Sequence, residues 1–311
     1  MPIDIALLGC GHPHIADVLG VIVAEPDLRL AAAWDADPSG VPGEISSHRV
    51  ADIETAIRRA DAVVVCAPTD QRPGVCVRAA ASGRPILVEK PLARTAAEGR
   101  AAAREITRSR TPAYPALFLR ELPALGRLRG VLRAGLLGRP SAATASYLHA
   151  GALNGSLAGA RAWMRNPQRA GVGGLGDLAI HLVDAFAALG AVPRLDAISL
   201  DRGPVGSTDV GGTALGRWGD VPFSLSTSWV TRPAGLEIIV HGSAASAVLR
   251  DGSLDVVTEN GSRERWVGAP PDAGEALRSF VGRLRTRRLA LDQLAGAIRA
   301  QEIIERATRL E

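Results

Sequence analysis

Over the first third of the chain, four short apolar runs, Ile3–Leu8, Leu28–Trp34, Ala62–Cys66 and Pro85–Val88, alternate with helical patterns at Pro13–Ala24, Ile53–Arg59, Arg72–Ala81 and Thr95–Thr107. Runs this short and this apolar suit strands covered on both faces. Strand and helix in strict alternation imply a parallel, doubly wound α/β sheet with right-handed crossovers. The segment ending at Val88 is expected to close a fifth strand, a further strand is expected at Pro112–Phe118, and a helix from Leu122 to Leu137. At 311 residues the chain exceeds what one hydrophobic core usually serves, so two domains are expected, with a boundary near residue 120.

After Gly138 the pattern changes to closely spaced strands: Ala142–Leu148, Leu195–Leu200, Gly211–Arg217, Val221–Val230, Leu236–Gly242, Ala247–Arg250, Leu254–Thr258 and Glu264–Val267. This is the pattern of an open, mainly antiparallel sheet in an α+β domain over 121–311, with the helix Asp177–Leu189 on one face. The last helix, Asp292–Thr308, is expected to pack back on the first domain. Arg283–Arg288 reads as a solvated helix end.

The sequence Gly9-Cys10-Gly11-His12-Pro13-His14 stands directly after the first strand, where a Rossmann glycine loop lets backbone approach a pyrophosphate. His14 occupies the place of the third glycine of the fingerprint. Asp35 ends the second strand, where a carboxylate accepts hydrogen bonds from ribose hydroxyls and repels a 2′-phosphate, so NAD is preferred to NADP. Ala67, Pro68 and Glu89 complete the expected cofactor contacts.

Lys90, the only lysine in the chain, lies in Val88-Glu89-Lys90-Pro91 at the carboxyl edge of the sheet. Its ammonium can hydrogen-bond a substrate oxygen and stabilise charge developing there, and it serves both cofactor and substrate. In the second half, Asp177 and His181 are four residues apart and so share a helical face, where the imidazole can take a hydroxyl proton and the carboxylate can orient it. Taken singly, Asp177 is also an ordinary N-cap and His181 an ordinary core histidine. Asp184 is expected to form an intrahelical salt bridge.

These residues carry a family resemblance. The glycine loop, Gly83–Ala93 with its Glu-Lys-Pro, Trp163-Met164-Arg165-Asn166-Pro167 and Asp177–Asp184 together resemble the glucose-fructose oxidoreductase and inositol 2-dehydrogenase (Gfo/Idh/MocA) family. The resemblance implies a Rossmann domain plus a sheet-containing substrate domain, with the catalytic lysine, aspartate and histidine falling on Lys90, Asp177 and His181. It implies oxidation or reduction of a sugar, sugar derivative or cyclitol, and a homodimer or homotetramer assembled through the open sheet face. Redox-neutral elimination or epimerisation with bound NAD, and a non-catalytic dinucleotide-binding regulator, are the alternatives. Ala179 stands where the family pattern has glycine. Arg120, His149, Arg161, Trp163 and Arg165 are further candidate substrate contacts.

Composition excludes other classes. The charge of +4 and pI near 9.5 come from arginines scattered among acids, and with only 4% aromatic residues the chain lacks the stacking platforms of a nucleic-acid binder. Cys10, Cys66 and Cys76 form neither an even disulfide framework nor a CxxC pair, which suits the reducing cytoplasm. No signal peptide and no stretch of about 18 apolar residues are expected. His12 and His14 are expected to be hydrogen-bonded loop residues, not metal ligands, because no second ligand cluster is visible beside them.

Overall fold

The computed structural model describes residues 2–204 and 207–309. The chain divides into two compact units, which are discontinuous in sequence. The first runs to Ala116 and also includes Leu157–Gly171 and Ala273–Arg299; the second holds Leu117–Ser156, Val172–Asp272 and the chain from Ala300 on.

In the first unit, β1 (Ile3–Leu8), β2 (Leu28–Trp34), β3 (Ala62–Val65), β4 (Ile86–Val88) and β5 (Ala113–Pro115) form a parallel sheet in the order β2-β1-β3-β4-β5. Among the described residues the sheet has five strands, so Lys90 follows the fourth and Ala113–Pro115 is the fifth. The expected extra strand has no counterpart there. Strand order reverses between β1 and β3, and in such sheets ligands bind beyond the carboxyl ends of strands at this switch point.

Helices α1 (Ile15–Ala24), α2 (Ile53–Arg58), α3 (Arg72–Ala80) and α4 (Ala96–Arg108) cross between the strands. Local chemistry sets their starts: Asp52 accepts the Thr55 amide at 2.7 Å, and Thr95 accepts the Glu98 amide at 3.2 Å. The core joins Leu8, Val63, Val65, Ile86 and Val88 of the sheet to Val75, Cys76 and Ala79 of α3 and Ile106 of α4. Leu294 and Ile298, near the start of the last helix, are in this same core.

The second unit is built on eight strands: β6 (Pro140–Leu148), β7 (Pro193–Asp201), β8 (Gly211–Trp218), β9 (Val221–Ser228), β10 (Gly235–Gly242), β11 (Ala245–Arg250), β12 (Ser253–Thr258) and β13 (Arg263–Trp266). Their order is β13-β12-β11-β10-β6-β9-β8-β7, antiparallel throughout except between β6 and β9. Burial alternates along β9 and β10, so Phe223, Leu225, Leu236, Ile238 and Val240 make one apolar face while Ser224, Ser226 and Ser228 point the other way.

Helix α5 (Pro123–Arg133) begins with proline at its first position. The short α6 (Pro167–Ala170) belongs to the first unit, and α7 (Gly174–Leu189) lies on β8 and β9 in the second. Phe186 of α7 packs edge to face on Trp218 at 5.3 Å and on Phe223 at 4.6 Å, arrangements worth about 0.5–1.5 kcal/mol each beyond area burial.

Pro167–Leu189 passes by length and mean hydropathy as a candidate membrane span, although it is not an uninterrupted apolar run, since Asp177, His181 and Asp184 lie within it. The segment is not one continuous helix: Gly171, in the left-handed region at φ +74°, ends α6 before α7 begins. Of its most apolar window, 83% is buried inside the protein, as befits a core helix. The remaining helices are α8 (Glu275–Arg285), whose Phe280 packs on Tyr114 at 5.7 Å, and α9 (Leu294–Thr308).

Candidate active site

In the first unit the candidate residues converge because two loops touch. Gly9 takes φ +79°, and a Cβ there would lie 2.4 Å from the Cα of Ala67, so only glycine lets the loop after β1 lie on the loop after β3. The contact continues through the His12 amide, which donates to the Cys66 carbonyl at 3.1 Å, and a Cβ on Gly11 would stand 3.3 Å from the Pro68 ring. Trp163 is buried and donates its indole N–H to the Gly11 carbonyl at 3.0 Å. This proposed substrate residue therefore braces the glycine loop.

Helix α1 starts at Ile15, not Pro13, with His14 as its N-cap residue. The His14 imidazole makes no cap bond and instead meets Glu89 Oε1 at 3.1 Å through Nδ1. Asp35 takes the Cys10 amide on Oδ2 at 2.6 Å and the Asp37 amide on Oδ1 at 2.9 Å, which holds its carboxylate at the loop where Gly9-Cys10-Gly11 turns.

Glu89 and Lys90 follow β4 and are both buried, each 3% exposed. Burial pushes the Glu89 carboxyl up, but the charge and hydrogen bond of His14, with Lys90 and Arg72, hold it below the ordinary carboxylate value. Arg72 is fully buried. Its Nε and Nη2 donate to the Ala67 carbonyl at 3.1 and 2.8 Å and its Nη1 donates to the Pro91 carbonyl, tying the turn that carries Lys90 to the loop after β3. Arg161 and Arg165 sit on the turn Gly159–Arg165, the former partly buried and the latter exposed.

In the second unit, the glycines before α7 have a steric reason. A Cβ on Gly173 would overlap the Asp209 carboxylate, and one on Gly174 would come within 2.4 Å of the Val210 backbone. Asp209 Oδ1 accepts the Leu175 amide at 2.7 Å, capping the helix from a distant loop. Because α7 begins at Gly174, Asp177 is not its N-cap; its Oδ2 accepts the Trp229 indole N–H at 3.1 Å.

One turn on, His181 is 1% exposed, with the Phe118 ring 4.7 Å and the Tyr147 ring 6.1 Å from its centroid. His149 lies beside Tyr147 at 6.3 Å and accepts the Gly151 amide on Nδ1 at 2.9 Å. Ala179 is completely buried in the same helix, so its methyl is accommodated where the resemblance expects glycine.

Asp184 does not pair within its helix. Arg120 grips it with both ends of its fork, Nε to Oδ2 at 2.7 Å and Nη2 to Oδ1. Burial pushes the Asp184 carboxyl up against the pull of that guanidinium. Arg120, expected as a substrate contact, thus anchors α7. Trp229, Phe118, Tyr147 and Arg72 escaped the sequence reading: none lies in a motif, and only long-range packing singles each out.

Residues 3–113 match the model of an oxidoreductase family with an NAD-binding Rossmann fold, and residues 126–248 match the Gfo/Idh/MocA C-terminal domain. The chain belongs to the Gfo/Idh/MocA family. No curated protein sequence matches it. Solved structures of similar fold include levoglucosan dehydrogenase in complex with NADH and levoglucosan, 18% identical over 100% of this chain and 98% of that one, with a TM-score of 0.82. A 3-ketoreductase from Actinomadura kijaniata with NADP and TDP-benzene is 16% identical over 99% and 98%, TM-score 0.83. An oxidoreductase from Agrobacterium radiobacter with NAD+, L-tartaric acid and magnesium is 18% identical over 100% and 98%, TM-score 0.80.

As a member of this family the chain carries its NAD-binding domain, and the residues present fit the dinucleotide. The glycine loop after β1 stands at the switch point, packed so closely on the loop after β3 that Gly9 admits no Cβ, and Asp35 stands at the end of β2 with its carboxylate turned to the Cys10 amide of that loop.

Proposed function

We propose that this oxidoreductase transfers a hydride between NAD and a hydroxyl- or keto-bearing carbon of a sugar, sugar derivative or cyclitol, with Lys90, Asp177 and His181 as its catalytic residues. The observation that carries the reading is the arrangement on α7: Asp177 and His181 lie one turn apart, the carboxylate held by Trp229 and the imidazole seated against Phe118 and Tyr147.

In the oxidative direction His181 accepts the hydroxyl proton while the carbon loses hydride. Asp177 holds the imidazole or a neighbouring hydroxyl, and the Lys90 ammonium stabilises negative charge on the reacting oxygen. Bound NAD supplies the hydride acceptor. The reduction runs the same proton back from His181 to the oxygen.

Asp35 supports NAD over NADP, because a carboxylate fixed at the end of β2 repels a 2′-phosphate. The ligands of two similar structures, levoglucosan and L-tartaric acid, support a polyhydroxylated substrate. His149 and Arg161 are proposed to contact it, with Arg165 nearby on its turn. We place the activity in the cytoplasm and in a homo-oligomer.

The test is fluorescence titration with NADH and NADPH, then a polyol and keto-sugar screen of wild type, Lys90→Ala and His181→Ala. Tighter NADH binding, with turnover lost in both variants, is the expected result. Binding of neither nucleotide, or variants as active as wild type, would overturn the proposal.

A further inference from the structure

Two histidines and a buried carboxylate meet in the first unit with their ligand atoms close together. His14 Nδ1 is 3.1 Å from Glu89 Oε1, His12 Nδ1 is 3.6 Å from Glu89 Oε2, and one ligand atom from each residue lies within 4.8 Å of the others. Ligands at about 2.1 Å from a tetrahedral metal centre are separated by about 3.4 Å, and the two measured separations, one to each Glu89 oxygen, lie on either side of that value. We propose that His12, His14 and Glu89 form a binding site for one divalent transition-metal ion of the imidazole-preferring kind, zinc foremost.

The donor set is two imidazoles and one carboxylate, which suits zinc and its neighbours and disfavours magnesium and calcium, whose preferred ligands are all oxygen. Glu89 is 3% exposed, so its carboxylate faces the two imidazoles and not bulk solvent. His12 is 1% exposed and fixed by its amide bond to Cys66; His14 keeps 20% of its side chain exposed, leaving a side for solvent or exogenous ligand. The weak contact from the His14 amide to His12 Nδ1, at 3.3 Å, is what an ion on that nitrogen would displace.

Sulfur stays outside the set. Burial, with the charge of Asp35, pushes the Cys10 thiol up to about 12, and burial pushes Cys66 well above its ordinary value, so neither offers a thiolate. The three donors come from the two segments that frame the glycine loop: His12 and His14 from its end, and Glu89 from the turn after β4. An ion there would clip the glycine loop to the segment that carries Lys90.

The inference does not rest on the proposed dehydrogenase activity, and its test separates the two. Tag-free, chelator-treated full-length protein is titrated calorimetrically with Zn2+ and, separately, Mg2+, and its Co2+ complex is examined by visible absorption. One Zn2+ per chain is expected, with affinity falling at least tenfold in both His14→Ala and Glu89→Gln. Affinity should also be lower at acid pH, because protons compete with the metal for the imidazoles.

The Co2+ spectrum of wild type needs no variant and should show the intense bands of a site with fewer than six ligands. Absence of Zn2+ uptake, Mg2+ bound as tightly, a six-coordinate Co2+ spectrum, or both variants binding like wild type would each overturn the site. NADH binding measured on the same sample reports on the dehydrogenase reading alone.

Discussion

The indole N–H of Trp229 donates to Asp177 Oδ2 at 3.1 Å, and both residues are buried. Trp229 follows β9, so the sheet itself positions the carboxylate one turn before His181. Trp229→Phe keeps an aromatic side chain but removes the N–H donor together with the fused five-membered ring. Hydrogen bonds to charged groups contribute about 1.5–3 kcal/mol, so if the bond orients Asp177 for the reaction, kcat falls by about 10- to 100-fold. The affinity for NADH is expected to stay at the wild-type value, since the residues of the glycine loop are unchanged. A steady-state kcat equal to wild type would show that the bond serves packing alone.

Gly9→Ala places a methyl carbon 2.4 Å from the Ala67 backbone and puts an L residue at φ +79°. Neither loop can yield without losing the His12 amide bond to Cys66 or the Trp163 bond to Gly11. NADH binding is expected to weaken by at least tenfold, read by fluorescence titration. Gly43→Ala, whose new Cβ meets nothing within 4 Å, should bind NADH as wild type does.

Much of this was legible beforehand, for identifiable reasons. Buried parallel strands write themselves as continuous apolar runs, so β1, β2 and β3 stand within a residue of their expected bounds, and period-two alternation marked β8 to β11. The strand at Ala113–Pro115 was visible, but the count was one too high because only long-range pairing numbers a strand. The chain's return to the first unit at 157–171 could not be read, since no local pattern records which core a segment joins. Asp177 and His181 were found through helical spacing. The hub at Glu89 was not, because its partners His12 and His14 are more than 70 residues away.

Arg120 and Asp184 offer a test of how α7 is held. Asp184 is 2% exposed at its side chain, and Arg120 supplies its fork from the turn Phe118–Glu121. Arg120→Met leaves a buried carboxylate without its cation, which costs about 3–5 kcal/mol. The urea midpoint should fall with the slope unchanged, and Arg120→Met combined with Asp184→Leu should recover most of the loss, since a well-packed apolar pair replaces a buried ion pair at little cost. A single variant as stable as wild type would mean water reaches Asp184.

Glu89 makes the stability of the first unit depend on acid. Its carboxyl titrates below the ordinary value in the folded chain, because His14, Lys90 and Arg72 outweigh the burial that pushes it up. A depressed folded pKa means that the unfolded chain binds the proton more readily. The stabilisation is therefore fully present above the ordinary glutamate pKa, about 4.3, and is lost as pH falls through the lower folded value. Glu89→Gln cannot titrate, so its stability should change less steeply with pH over that window than that of wild type. Urea unfolding of both proteins between about pH 6 and pH 3 measures the difference, and the two curves should converge toward the acid end. Parallel curves across the whole range would show that Glu89 has the same proton affinity folded and unfolded, and that His14, Lys90 and Arg72 do not hold its charge.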